Sequence, residues 1–463
     1  MVRFIDRTEE TRVLERDWAT RKNAFIVVFG RRRIGKTRLV ENFVKDKDGA
    51  HYTAEDSNKK VQINEFKQIM ASHLNDEFLS KQEIGDWGAL FAYLTKTLDK
   101  NKKMYIWIDE LSYLIKNDDS LTSVLQKFID SFQTDSRIFL IVSGSIFGLM
   151  NEKILSHSSP LYGRRTRDIL LGPIPSGFIR EFIHFSQEDA IKTSMTINGI
   201  PEYLKVASAF DTYKDFIQNE FFKPEGYFYR EPFFLLSQEF REIKTYFSII
   251  HAIAYGNSRP SDIANFVGLD AREIYPYLEL LINYGFVARE TSMLGDRKIG
   301  LYHIKDNFLD FWFNLVHKNR ESIERGNYKA NEKELNMYLG KRFEIFIREN
   351  LHLFFEEFDS AGRWWHKGQE IDIVAVNETA RTIMFGECKW QDRADAWKIA
   401  KELAEKSKLA EWHNGQRKEQ FMIFAKSFTR KIDRIDGRNV HCFDLKDIAK
   451  TIECRDIHPP RER

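Results

Sequence analysis

At 463 residues, 43% hydrophobic and 30% charged, the chain has the composition of a folded globular protein with room for about three domains. No apolar stretch is long enough to span a membrane, and the opening MVRFIDRTEE is charged from its start, which predicts a cytoplasmic protein with no secretory leader and no membrane partner. A net charge of +2 names no partner, so nucleic-acid binding would have to come from local patches. The three cysteines, Cys388, Cys442 and Cys454, lack metal-ligand spacing and read as reduced structural thiols.

Residues 24–29, AFIVVF, are a short apolar run that predicts a buried strand. It leads into GRRRIGKT, Gly30 to Thr37, which matches G-x-x-x-x-G-K-[ST], and then into a helical stretch, RLVENFVKD. Gly30 and Gly35 permit a turn whose N–H groups can surround phosphates at the helix N-terminus. Lys36 is placed to reach the outer phosphates, and the Thr37 hydroxyl to ligate Mg²⁺. The second half of such a site is a strand ending in an acid, and MYIWIDEL supplies it. Asp109 would hold the Mg²⁺ through water, and Glu110 would polarise the attacking water. A further strand, RIFLIVSGS, ends on Ser143 and Ser145, each either a sensor of the γ-phosphate or a cap or turn residue.

With FIDRTEE before them and PLYGRR and NGIPEYL after them, these motifs resemble the archaeal-type P-loop ATPases, relatives of the AAA+ and STAND classes. The resemblance covers residues 2–205. It departs at Asp6, where the family commonly has glycine. It implies ATP binding and hydrolysis with Mg²⁺, with Phe4 and Arg7 near the adenine end of the nucleotide. It also makes Arg164 the arginine that completes the site, from the same chain or from a neighbour in a homo-oligomer. The alternative for Arg164 is an ordinary salt-bridge arginine.

Residues 1–172 are therefore expected to form the ATPase domain and 173–235 a helical lid. Three helical patterns follow, EIKTYFSIIHAIAYGN, RPSDIANFVGL and DAREIYPYLELLINYGF, the last with Asp270 as its N-cap. An extended stretch with LGDRK at its tip then predicts a hairpin, and the whole of 236–306 a winged helix. Its third helix would face a DNA major groove with Arg272, Glu273, Tyr275 and Tyr277, helped by Arg297 and Lys298 at the tip. That basic set is thin, and a packing module is the alternative reading.

After a helical connector, 307–334, residues 335–463 begin a new α/β pattern. In MFGECKW, strand alternation puts Glu387 and Lys389 on one face. Asp372 starts the preceding strand, fourteen residues separating the two acids, which gives D-x₁₄-E-x-K. Two carboxylates and a main-chain carbonyl can hold Mg²⁺, or Mn²⁺, with a lysine beside the metal-bound water. The layout resembles the PD-(D/E)XK, restriction-endonuclease-like fold over residues 335–450, with Ile371 in place of its proline. The resemblance adds Glu344, in the preceding helix, as an acid near the metal. His366, Trp364, Trp365 and Trp390 read as structural. The expected protein is α/β throughout: an ATPase coupling nucleotide state to DNA or RNA binding and cleavage. The rival is an ATP-driven oligomerising signalling switch whose C-terminal domain is an inactive partner-binding module.

Overall fold

Five strands build the first sheet of this computed structural model, which describes residues 4–99, 101–131, 137–145, 147–240, 242–295 and 299–457. They are β1 (Ala24–Phe29), β2 (Gly49–Thr53), β3 (Met104–Asp109), β4 (Ile138–Gly144) and β5 (Arg167–Leu170). Their order is β2-β3-β4-β1-β5, and every neighbouring pair is parallel. β1, β3 and β4 are buried along their whole length, as a parallel sheet covered on both faces requires. Phe25, Val27, Ile106, Ile108, Leu140 and Val142 pack with Phe66, Trp87 and Phe91 on one face. On the other, Trp18 meets Phe139 edge-on at 5.1 Å and Phe43 at 6.1 Å.

The chain divides into two compact units. One comprises residues 1–173 with 200–202, and the other 174–199 with 203–463. The segments expected as three-helix region and C-terminal domain fall in the second unit, as does the expected lid apart from residues 173 and 200–202.

In that unit the helices Ile243–Ala254, Pro260–Val267 and Ile274–Asn283 precede an antiparallel pair, β6 (Val287–Thr291) and β7 (Gly300–Ile304). The third helix starts at Ile274 rather than at Asp270. Glu273 accepts the Asp270 N–H with its side chain and donates its own N–H to the Asp270 carbonyl, which closes a separate turn first. Arg297 and Lys298 lie outside the described residues.

The C-terminal sheet contains β8 (Ser360–His366), β9 (Gln369–Asn377), β10 (Thr382–Lys389), β12 (Lys418–Ala425), β14 (Arg434–Ile435) and β15 (Arg438–Phe443). Short strands β11 (Ala394–Asp395) and β13 (Phe428–Arg430) pair separately. The sheet order is β14-β15-β12-β10-β9-β8. β8, β9 and β10 are antiparallel, whereas β10, β12 and β15 run parallel, so a crossover must join β10 to β12. The helix Ala396–Ser407 makes it, burying Ala396, Ala400 and Leu403 with Ile383, Phe385 and Phe421. Trp390 points the other way, its ring 5.2 Å from Phe343 of the helix Glu332–Glu349.

A pair of imidazoles is expected to make the second unit sensitive to acid. The rings of His251 and His317 lie 4.5 Å apart among Phe247, Phe266 and Phe313. Burial, then His251 and Arg320, pushes His317 down to about 4. Burial, then Arg342 and Arg348, does the same to His303. A histidine with a depressed folded pKa binds its proton more readily when unfolded, so its contribution is complete above about pH 6.5 and lost as pH falls towards 4. The denaturation midpoint is expected to drop between pH 7 and 5. His317→Phe should flatten that drop by about 1 kcal/mol in denaturant titrations.

Candidate functional site

The first site lies at the carboxyl ends of β1, β3 and β4, where open parallel sheets place ligands. Gly30 leaves β1 at φ 149°, and Gly35 enters the helix Lys36–Val44 at φ 94°. A Cβ on Gly30 would stand 2.6 Å from the Leu171 carbonyl oxygen. Gly30→Ala is therefore expected to distort the loop and cost ~2 kcal/mol or more, read as a lower melting temperature with weakened nucleotide binding. Lys36 is almost fully buried and donates to the Gly30 and Arg31 carbonyls at 3.1 and 3.2 Å. The Thr37 hydroxyl donates to Asp109 Oδ2 at 2.7 Å. These groups fit a nucleotide with its magnesium: a loop opened by left-handed backbone, one ammonium, and a hydroxyl beside a carboxylate.

The two serines separate cleanly. Trp107 Nε1 donates to Ser143 Oγ at 2.9 Å, and Ser143 Oγ donates to Asp109 Oδ1 at 2.5 Å. The indole can only donate, so the serine proton is directed at the aspartate and Asp109 accepts at both oxygens. Ser145 instead gives both its N–H (3.2 Å) and its hydroxyl (2.6 Å) to Glu110 Oε2. Glu110 itself sits at φ 54°, a left-handed backbone that side chains adopt at a cost. The role of Trp107 escaped the sequence reading, although a buried indole N–H always raises the question of its acceptor.

Arg7 is buried, and its Nη2 donates to the carbonyls of Ile34 and Gly172 at 3.2 and 2.7 Å. It braces the phosphate loop from behind. Phe4 lies half-buried just before the helix Thr8–Thr20. Arg164 is elsewhere. The Thr166 N–H bonds to the Phe25 carbonyl at the amino end of β1, roughly 16 Å along the strand from Gly30. Arg164 makes a two-point ion pair there with Asp130, at 2.7 and 3.0 Å. The same-chain role expected for it is corrected on that ground: the guanidinium is at the wrong end of the sheet.

The second site is at the end of β10. Ile373 faces Gly386 in the antiparallel register, so one step further Asp372 stands opposite Glu387 on the same face. Both are buried. Asp372 Oδ2 accepts the Cys388 N–H at 2.9 Å, and its carbonyl accepts from Arg348 at 3.0 Å. Burial, then the charge of Glu387, pushes the Asp372 carboxyl up to about 6. Burial, then Asp372, pushes Glu344 up to about 7. Lys389 Nζ donates to Glu387 Oε1 at 2.7 Å. Burial works against the Lys389 ammonium, but the Glu387 carboxylate prevails and holds it above its ordinary value.

Glu344, Asp372, Glu387 and Lys389 thus come together. They do not form the three-acid ligand set expected. Among the described residues no three His, Cys, Asp or Glu side chains are close enough to hold one ion. Glu387 is engaged by ammonium groups and Asp372 by a backbone N–H. A second lysine on Glu387, Lys406, was not foreseen, because a residue in the following helix carries no motif linking it to the strand.

A glycine-opened loop between β1 and a helix, with a strand-borne Asp-Glu pair two strands away, defines a P-loop ATPase. Residues 4–206 match the family described as an ATPase domain predominantly from Archaea, and residues 312–400 one described as Archaea bacterial proteins of unknown function. An uncharacterized protein of Methanocaldococcus jannaschii is 32% identical over 459 residues, spanning 96% of this chain and all of that one. The chain belongs to one family with that protein, and its residues 4–206 form a domain of the archaeal-type ATPase family. The Walker-type ATPase PABY2304 of Pyrococcus abyssi is similar in fold, with a TM-score of 0.52 and 20% identity over 67% of this chain and 96% of its own. The ORC2 protein of Aeropyrum pernix aligns more loosely, with a TM-score of 0.43 and 13% identity over 70% of this chain and 97% of its own. Among the described residues no helix is long and apolar enough to cross a membrane.

Proposed function

We propose that this ATPase couples its nucleotide state to metal-dependent cleavage of nucleic-acid phosphodiesters in the C-terminal domain. The observation that carries the reading is Asp372 opposite Glu387, with Lys389 bonded to Glu387, on two inner strands of a mixed sheet. That combination, with Glu344 near Asp372 on the preceding helix, supports reading the domain as a PD-(D/E)XK site. Raised carboxyl pKa values indicate acids crowded in a poorly solvated place, whose ionisation a dication would favour.

Asp372 and Glu387, with a main-chain carbonyl, would hold Mg²⁺ or Mn²⁺, which when bound polarises the phosphodiester and acidifies water. Lys389 would orient that water or balance the added phosphate charge. At the P-loop, Lys36 would neutralise the outer phosphates and Thr37 and Asp109 would hold Mg²⁺. Glu110, freed from Ser145, would take the proton of the attacking water. Arg164 would serve only from a neighbouring subunit. The test is cleavage of single- and double-stranded DNA and RNA with Mg²⁺ or Mn²⁺, with and without ATP. No cleavage under any of these conditions would remove the proposal.

One observation favours the rival switch at the three-helix region. On the helix Ile274–Asn283, Tyr275 (53% exposed) and Ile282 (36%), seven residues apart, share one exposed flank, and the helix contains no lysine or arginine. A groove-reading helix needs cationic contacts, whereas an apolar face suits a protein partner. On this reading any DNA contact by the region is weak, with a shallow salt dependence. ATP-dependent oligomers in sedimentation experiments, without cleavage, would favour the switch.

A further inference from the structure

We infer that Lys406 is a positioning residue of the carboxylate site, an ammonium that competes with a divalent cation for Glu387. The inference rests on the metal-site reading above. Lys406 belongs to the crossover helix Ala396–Ser407, which is anchored beneath it by buried Ala400, Leu403, Ala404 and Ser407. Its Nζ straddles the Glu387 carboxylate, 3.5 Å from Oε1 and 3.4 Å from Oε2. Lys389 holds Oε1 from the strand itself at 2.7 Å. The Glu387 side chain is only 10% exposed, so water screens this cluster poorly.

Between them the two ammonium groups balance Glu387 and the Asp372 carboxyl opposite it. A dication approaching Glu387 meets two positive charges already there, and at these distances such repulsion is large. One of them has to yield. Lys389 is closer and lies on the same strand, two residues from Glu387. Lys406 makes the longer contact, comes from another element and is 26% exposed, with solvent available to receive it. Lys406 therefore holds Glu387 in place while no metal is bound and gives way when one binds, which weakens the site's affinity.

The experiment is a Mn²⁺ titration of the full chain without nucleotide, following the loss of the free-ion electron paramagnetic resonance signal. Lys406→Met should bind Mn²⁺ more tightly, by roughly threefold or more, because one competing charge is gone. Lys406→Arg should restore the wild-type affinity, which a purely structural effect of shortening the side chain would not separate by charge. Equal or weaker binding by Lys406→Met overturns the inference and leaves the metal reading standing. If wild type takes up no Mn²⁺, or if uptake is unchanged in Asp372→Asn, the metal reading itself fails and the inference with it. Circular dichroism melts of both lysine variants establish that they fold.

Discussion

Glu110→Gln should bind ATP normally but release phosphate roughly 100-fold more slowly, or worse, than the wild-type chain. The amide oxygen of glutamine can still accept the two Ser145 donors that reach Glu110 Oε2, so the local structure should persist. What disappears is the group able to take a proton from water. Lys36→Ala should act earlier in the cycle. It removes the buried ammonium that bonds the Gly30 and Arg31 carbonyls and would neutralise the outer phosphates, so nucleotide binding itself should be lost. Calorimetry with a non-hydrolysable analogue and a phosphate-release assay separate the two outcomes. A Glu110→Gln chain that turns over like wild type would move the catalytic role to another residue.

The carboxylate site gives the second large effect. Asp372→Asn and Glu387→Gln should each lower metal-dependent cleavage by ~10³-fold, and Lys389→Met should retain the metal while losing turnover. Any double variant should be scarcely worse than the worse single one, because these residues act as a unit. ATP hydrolysis should survive in all of them, since the P-loop residues belong to the other compact unit.

Asp372→Asn has an opposite effect on stability. The folded carboxyl titrates near 6, above its usual 3.8. Its ionisation therefore costs stability that is intact below about pH 4 and lost as pH rises through 6. The asparagine variant keeps the Cys388 hydrogen bond and carries no charge. It should be more stable than wild type at pH 8 by about 1–2 kcal/mol in denaturant titrations, with the gap closing towards pH 4. Unchanged cleavage in Asp372→Asn would end the nuclease reading. Unchanged stability would mean the acid is better solvated than its burial implies.

The sequence by itself determined what depends on neighbouring residues. Gly30 to Thr37 contains its own turn, ammonium and hydroxyl. The run Met104 to Glu110 contains both a strand and its terminal acids. Glu387 and Lys389 share a face because strand side chains alternate. Backbone periodicity and the conformational freedom of glycine act over a few residues, so they can be read directly. The tertiary structure decided everything that depends on which element lies beside which. The register of β9 against β10 put Asp372 opposite Glu387, and no local pattern encodes a register. Pairing of Thr166 with Phe25 carried Arg164 to the far end of its sheet. The position of β4 between β1 and β3 gave Ser143 to Asp109 and Ser145 to Glu110. Packing of the crossover helix brought Lys406 over Glu387, and packing of the third helix against its neighbours left Tyr275 and Ile282 exposed. These contacts join residues distant in the chain, and their energies come from burial and charge that exist only once the elements have packed.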